Sequence, residues 1–291
     1  MKIRDEIIIS GRRAIAKSYA KINLTLDILG KMENGYHEIE TVMQTVGLFD
    51  LVVTDISESG ICIHTNLKFL PTNEKNIAYK TAKLFFEKTG IKKGAKIYIH
   101  KNIPVSAGLA GGSGNAAAVL EALNLLFGCP LADEELFSLA AELGADVPFC
   151  LIGGTQLCRG IGEKLSLLPH FPKRYALLVK PPIAVSTAEI YERIDSEPIE
   201  SHPTTADFIS KLTPNMYSPE LMFNVMEQVT VKSHPVIRGI REKLLLNGAE
   251  AAMMSGSGST VFGLFEDFRT AKASADSFSH LYKDVYLTST N

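Results

Sequence analysis

The stretch VSAGLAGGSGNAAAVLEALNLLF, Val105 to Phe127, constrains the fold more than any other part of the chain. Four glycines fall within its first ten residues, and an apolar, alanine-rich run follows at once. Glycine gives up more backbone freedom on folding than any other residue, so a loop this bare needs a reason. Ala116, Ala117, Leu120, Leu123, Asn124 and Phe127 keep helical spacing up to Gly128, so the loop opens a helix. A helix N-terminus presents unsatisfied N–H groups and the positive end of the helix dipole. Glycines leave neighbouring amides uncovered, and such amides converge as a nest around an anion. The pattern predicts a phosphate-binding loop, with Ser113 adding a hydroxyl donor or a metal contact.

Two familiar phosphate loops do not fit. A Walker A loop needs GxxxxGK[ST], and after Gly108 no lysine occurs before Lys164. A dinucleotide fingerprint needs GxGxxG at the end of a first strand, whereas GLAGGSG has other spacing and lies deep inside the chain.

The rest of the sequence reads as an ordinary globular protein. Its 291 residues are 46% hydrophobic and 21% charged, enough for one large domain or two of usual size. A net charge of −2 gives no basic footprint for a nucleic-acid backbone. The basic clusters GRR (Gly11 to Arg13) and GIKKGAK (Gly90 to Lys96) read as solvated faces. Cys62, Cys129, Cys150 and Cys158 form no CxxC pair, so buried thiols in a reducing compartment are expected and a metal site is not. No apolar run reaches the ~20 residues of a membrane span, and the start mixes acids and bases unlike a signal peptide. The expected location is cytoplasmic, with no membrane partner.

The element pattern is α+β. INLTLDIL, GICIHT and AKIYIH alternate as half-buried strands, and Asn34-Gly35 marks a turn. NEKNIAYKTAKLFFEKTG predicts a helix stopped by Gly90, and a further helix opens near Asp133 and ends at Gly144. In the second half, YALLVKP reads as a strand, and Ser186 and Glu189 are spaced as a capping box. Helical patterns follow over 219–229 and 235–247, then a strand, a glycine turn, a strand, a helix and a last strand, DVYLT. This interleaving predicts a split-βαβ, ferredoxin-like domain, with a boundary near residue 160. The expected domains are 1–160 and 161–291.

On these residues the chain resembles the superfamily of galactokinase, homoserine kinase, mevalonate kinase and phosphomevalonate kinase (GHMP kinases). IPVSAGLAGGSGNAAAVL is similar to the second motif of that superfamily, YAKINLTLDILGKMENGYHEIETVMQTVGLFD to the first and MMSGSGSTVFGLF to the third. With GYHEIETVMQT and LGADVPFCL, these blocks resemble most the branch whose acceptor is a methylerythritol unit with a cytidine diphosphate handle. The similarity runs over about residues 16 to 290, leaving some fifteen residues ahead of it. It implies an N-terminal ribosomal-protein-S5-domain-2-like ATP domain, a C-terminal ferredoxin-like domain, and a monomer or weak homodimer. It also implies ATP as phosphoryl donor, Mg2+, and transfer to the 2-hydroxyl of the substrate in the non-mevalonate isoprenoid precursor pathway.

The resemblance assigns roles by position. Asp146, read alone a turn or cap aspartate, matches the catalytic base. Lys21, read alone a strand-edge lysine, matches a cation beside that base, and period-2 geometry puts Asn23 on the same face. Pro104, Val105, Ser106, Ala107, Gly108, Leu109, Ala110, Gly111, Gly112, Ser113 and Gly114 match the ATP loop. Asn76 and Lys101 match positions near the adenine. Tyr36, His37 and Tyr191 match the cytosine site, with the base stacked on tyrosine and its edge bonded by histidine. Thr187, Gly256, Ser257 and Gly258 match substrate positions. Two departures stand out: Gly114 replaces a second loop serine, and Ser259 stands where proline is common. If a hydroxyl at 114 serves phosphate or magnesium, Gly114→Ser is expected to improve catalysis. The alternatives are a sibling kinase acting on mevalonate, homoserine or a sugar, and a non-catalytic RNA-binding module. The first has no use for a cytosine site, and the acidic balance opposes the second.

Overall fold

The computed structural model describes residues 3–290. They divide into two compact units, the first made of residues up to 20, 49–103 and 110–153, the second of 21–48, 104–109 and 154 onward. The units are thus interleaved along the chain instead of parting at one point near residue 160. After the short edge strand β1 (Ile8–Ser10), strands β2 (Arg13–Lys31) and β3 (His37–Ser57) are 19 and 21 residues long. Ordinary strands run to about 5–6 residues. Each of these two is long enough to supply residues to both units.

In the first unit the strand order is β1-β2-β3-β5-β4, with β4 (Ile61–Thr65) and β5 (Gly94–His100) paired in parallel. Helix α1 (Ile77–Thr89) lies between them in sequence. Its ends are those the sequence signals: Asn76 caps the start, and Gly90 closes it in a left-handed conformation at φ 69°. Helix α2 (Gly111–Leu126) is buried without a break from Gly114 to Asn124, so it is enclosed on every face and forms the centre of the core. Phe85, Ile97, Ile99, Val119, Leu120 and Leu136 belong to that core. Helix α3 (Asp133–Leu143) is closed by Glu135, whose carboxylate accepts from the Ala132 N–H at 3.0 Å, and not by Asp133. The short α4 (Val147–Ile152) follows.

In the second unit β3 pairs with β6 (Thr155–Gly160), and β6 with β7 (Lys164–Leu167). A four-stranded antiparallel sheet then forms around β8 (Tyr175–Lys180). Helices α5 (Thr187–Ser196) and α6 (Thr205–Ser210) precede β9 (Phe223–Asn224), α7 (Val225–Ser233) and α8 (Pro235–Leu246). Then come β10 (Ala251–Met254), β11 (Val261–Phe265), α9 (Phe268–Ser279) and β12 (Asp284–Ser289). The sheet order β10-β11-β8-β12 is the split-βαβ arrangement expected of a ferredoxin-like domain. Leu177, Val179, Ile237, Leu244, Phe265 and Phe278 fill its core.

Two expectations are corrected. Residues 219–229 are not one helix: a 3-10 turn at Pro219–Leu221 leads to β9, which pairs with Thr25 and Leu26 of β2, and α7 starts only at Val225. A long-range pairing overrides the local periodicity there. None of the four cysteines is in a disulfide, but only Cys158 is buried, while Cys62 and Cys129 are exposed. Among the described residues, no helix is long and apolar enough to cross a membrane.

Candidate functional site

In the first unit the start of α2 is open. Ala110, in the N-cap position, has φ 55° and no side-chain cap. The first helical bond is made by the Gly114 N–H to the Ala110 carbonyl at 2.8 Å, so the amides of Gly111, Gly112 and Ser113 precede it. The three glycines there have different causes. A Cβ on Gly111 would stand 3.0 Å from Ile103 and 3.1 Å from the Lys101 ammonium. One on Gly114 would stand 2.5 Å from the Ser18 hydroxyl. One on Gly112 would meet nothing nearer than Ile77, at 3.8 Å, and Gly112 does not adopt a positive φ. Packing explains the first two and leaves Gly112 unexplained, except as bare backbone open to a ligand.

Behind this terminus lies a buried polar network. The Asp50 carboxylate accepts from the backbone N–H groups of Asn102 (2.7 Å) and Ile103 (2.8 Å), from Asn115 Nδ2 (2.9 Å) and from Lys101 Nζ. Asn115 Nδ2 also donates to the Ser18 hydroxyl at 3.0 Å, and its Oδ1 accepts from Lys101 at 3.1 Å. Burial pulls the Lys101 ammonium below its ordinary pKa, and the adjacent Asp50 carboxylate works against that loss of charge. A fully paired network of this kind rigidifies what it touches. Lys101 is therefore a strut of the segment entering the glycine loop. Asn76 is likewise engaged at both ends of its amide, by the Ala78 N–H (2.9 Å) and the Pro71 carbonyl (2.8 Å). A side chain at position 114 would run into Ser18, so packing accounts for the glycine that stands there.

Asp146, also in the first unit, occupies the N-cap position of α4 and is half-buried, but its side chain does not cap the helix. Its carboxylate is thus not spent on the role that such an aspartate usually has.

In the second unit Lys21 is only 4% exposed and donates to Asn23 Oδ1 at 2.7 Å, as the shared strand face predicts. Asn23 Nδ2 donates to the Thr41 hydroxyl at 2.9 Å, which fixes the amide's orientation. The loop after β10 closes on this pair: a Cβ on Gly256 would stand 3.3 Å from Lys21 Nζ. Residues 104–109 are held to the same loop. The Ser255 hydroxyl donates to the Gly108 carbonyl at 2.9 Å, and Gly108, at φ 73°, leaves no room for a Cβ against the Ser255 carbonyl. Thr187 Oγ1 and Ser257 Oγ are 2.7 Å apart, which joins two of the expected substrate positions. Sequence reasoning missed Asn224, whose Nδ2 donates to the carbonyls of Met254 and Gly256, each at 2.8 Å.

The turn between β2 and β3 carries Tyr36 and His37. Tyr36 is 61% exposed, whereas His37 is 8% exposed. The His37 and Tyr191 rings are stacked, with centroids 4.4 Å apart and planes at 10°. His37 Nε2 and Lys31 Nζ each lie 2.7 Å from a different oxygen of Asp195. These two bonds hold the Asp195 carboxyl below its ordinary range.

The chain matches the model of the GHMP kinases N terminal domain over residues 76–154 and that of the GHMP kinases C terminal over 212–284. It is 46% identical over 280 residues to the 4-diphosphocytidyl-2-C-methyl-D-erythritol kinase of Clostridium beijerinckii, covering 94% of this chain and 99% of the relative. The protein of that name from Alkaliphilus metalliredigens is 46% identical over 274 residues, covering 93% and 94%. A crystal structure of 4-(cytidine 5'-diphospho)-2C-methyl-D-erythritol kinase superposes with a TM-score of 0.81 at 31% identity, covering 95% of this chain and 99% of the other.

Proposed function

Since the chain belongs to the GHMP kinases, we propose that it transfers the γ-phosphoryl group of ATP to the 2-hydroxyl of 4-diphosphocytidyl-2-C-methyl-D-erythritol, a step of non-mevalonate isoprenoid synthesis. The observation that carries the ATP half is the uncapped start of α2 with Gly112 bare and uncrowded. The relatives named above support the choice of acceptor.

Phosphoryl transfer asks a protein mainly for positioning and charge neutralisation. Residues 104–114 cradle the ATP phosphates, with the amides of Gly111, Gly112 and Ser113 as donors and the helix dipole behind them. Asp146 accepts the proton of the attacking hydroxyl. Lys21, oriented by Asn23, offsets negative charge at the transferring group. Thr187, Gly256, Ser257 and Gly258 face the substrate phosphates, and Tyr36, His37 and Tyr191 hold the cytosine. Among the described residues no three His, Cys, Asp or Glu side chains form a metal cage. Mg2+ binds through nucleotide phosphates and few protein ligands, and Ser113 would be one of them here. Bound there, it would neutralise phosphate charge. We place the enzyme in the cytoplasm as a monomer or weak homodimer.

The test is ATP turnover with a panel of acceptors: 4-diphosphocytidyl-2-C-methyl-D-erythritol, mevalonate, homoserine and galactose. Turnover is expected with the first alone. Activity on another acceptor and none on the first would overturn the assignment.

A further inference from the structure

The contacts of Asp195 have a consequence for which base the protein accepts. A carboxylate only accepts hydrogen bonds, so at 2.7 Å from Asp195 Oδ1 the His37 Nε2 must carry the proton. The opposite oxygen of Asp195 takes the Lys31 ammonium, and the two bonds together hold the carboxyl in its ionised form. Among the described residues this is the ring's one hydrogen bond. The ring cannot turn over freely, because Tyr191 is stacked on one face and the side chain is almost wholly buried. In the neutral imidazole Nδ1 is then an acceptor at a fixed position.

Cytosine and uracil differ along one edge: cytosine has a 4-amino donor beside an N3 acceptor, and uracil has a 4-oxo acceptor beside an N3–H donor. Resting on the reading of function above, we infer that Asp195 fixes the tautomer of His37 and so makes the base site prefer the 4-amino edge of cytosine to the 4-oxo edge of uracil. Asp195 is a positioning residue. It need not touch the base, and it acts through the acceptor it leaves at Nδ1. Lys31 completes the device by holding the far oxygen.

Asp195→Asn is the informative variant, and the one-third exposed side chain on the last turn of α5 makes it compatible with folding. The Lys31 ammonium keeps the amide oxygen on its own side, which turns the amide NH2 toward His37. Nε2 must then accept, and the ring proton moves to Nδ1. Heteronuclear NMR of the imidazole nitrogens in the full chain, without ligand, is expected to show Nε2–H in the wild type and Nδ1–H in the variant. Steady-state kinetics then compare the cytidine substrate with its uridine analogue. The preference in kcat/KM for cytidine is expected to fall about tenfold or more, with the change in KM for the acceptor and not for ATP. The same tautomer in both proteins overturns the proposal, as does an equal rise in KM for both acceptors or an unaltered preference. A folded wild type that phosphorylates neither acceptor would sink the reading of function, and the NMR comparison alone would then judge the role of Asp195.

Discussion

Gly114→Ser is the substitution on which the account of the glycine loop is most exposed. The Cβ of any residue at 114 would lie 2.5 Å from Ser18 Oγ and 3.2 Å from the Tyr19 carbonyl. Ser18 is fully buried and its hydroxyl accepts from Asn115 Nδ2, so it cannot swing aside without breaking that bond. Overpacking of this kind costs about 1–3 kcal/mol. Loss of the hydrogen bond adds about 1 kcal/mol, and the better helix propensity of serine returns about 0.5 kcal/mol. The net loss is about 1.5–3.5 kcal/mol, which in a chain of this size lowers the melting temperature by roughly 3–14 °C. Because Asn115 sits in the first turns of α2, KM for ATP is expected to rise as well. Urea and thermal unfolding measure the first effect, and initial rates over ATP concentration the second. Ser18→Ala in the same protein removes the clashing oxygen, so the double variant should regain stability beyond the sum of the single effects. A Gly114→Ser protein as stable as the wild type, with tighter ATP use, would refute the reasoning and restore the idea of a missing phosphate ligand.

Three further outcomes are expected. Asp146→Asn should lower kcat by roughly 10²–10⁴-fold while circular dichroism and melting show an intact fold. Asp50→Asn leaves the buried Lys101 ammonium without its carboxylate and should cost about 3–5 kcal/mol in urea unfolding, whereas adding Lys101→Met should recover much of it. Tyr36→Ala, at an exposed ring free to stack on a base, should raise KM for the cytidine substrate roughly 5- to 150-fold, the equivalent of about 1–3 kcal/mol, with kcat little changed in the same assay.

Much of this was legible in the sequence where the cause is local. Asn76 and Gly90 bound α1 as their cap chemistry dictates, and the β2 period places Lys21 and Asn23 together. The glycines announced the start of α2, but one letter stood for different causes: crowding at Gly111 and Gly114, openness at Gly112. Their neighbours tell these apart, and those neighbours are distant in sequence. Asp50 lies 65 residues from Asn115, and Ser18 lies 97 from it. No window of sequence joins His37 to Asp195, 158 residues on. The interleaving of the two units was hidden for a related reason. Each strand runs on as a single element through the change of unit, with no interruption of the strand to mark it. The partner of Lys101 was hidden too, because Asp50 lies 51 residues away in sequence.

The central claim is a phosphoryl transfer at one defined oxygen, and phosphorus NMR of the product tests it most directly. Incubated with ATP, Mg2+ and 4-diphosphocytidyl-2-C-methyl-D-erythritol, the protein should yield ADP and a single new phosphomonoester on the 2-hydroxyl, with the diphosphate bridge intact. No phosphomonoester from a folded protein, or one at another oxygen, would contradict the account.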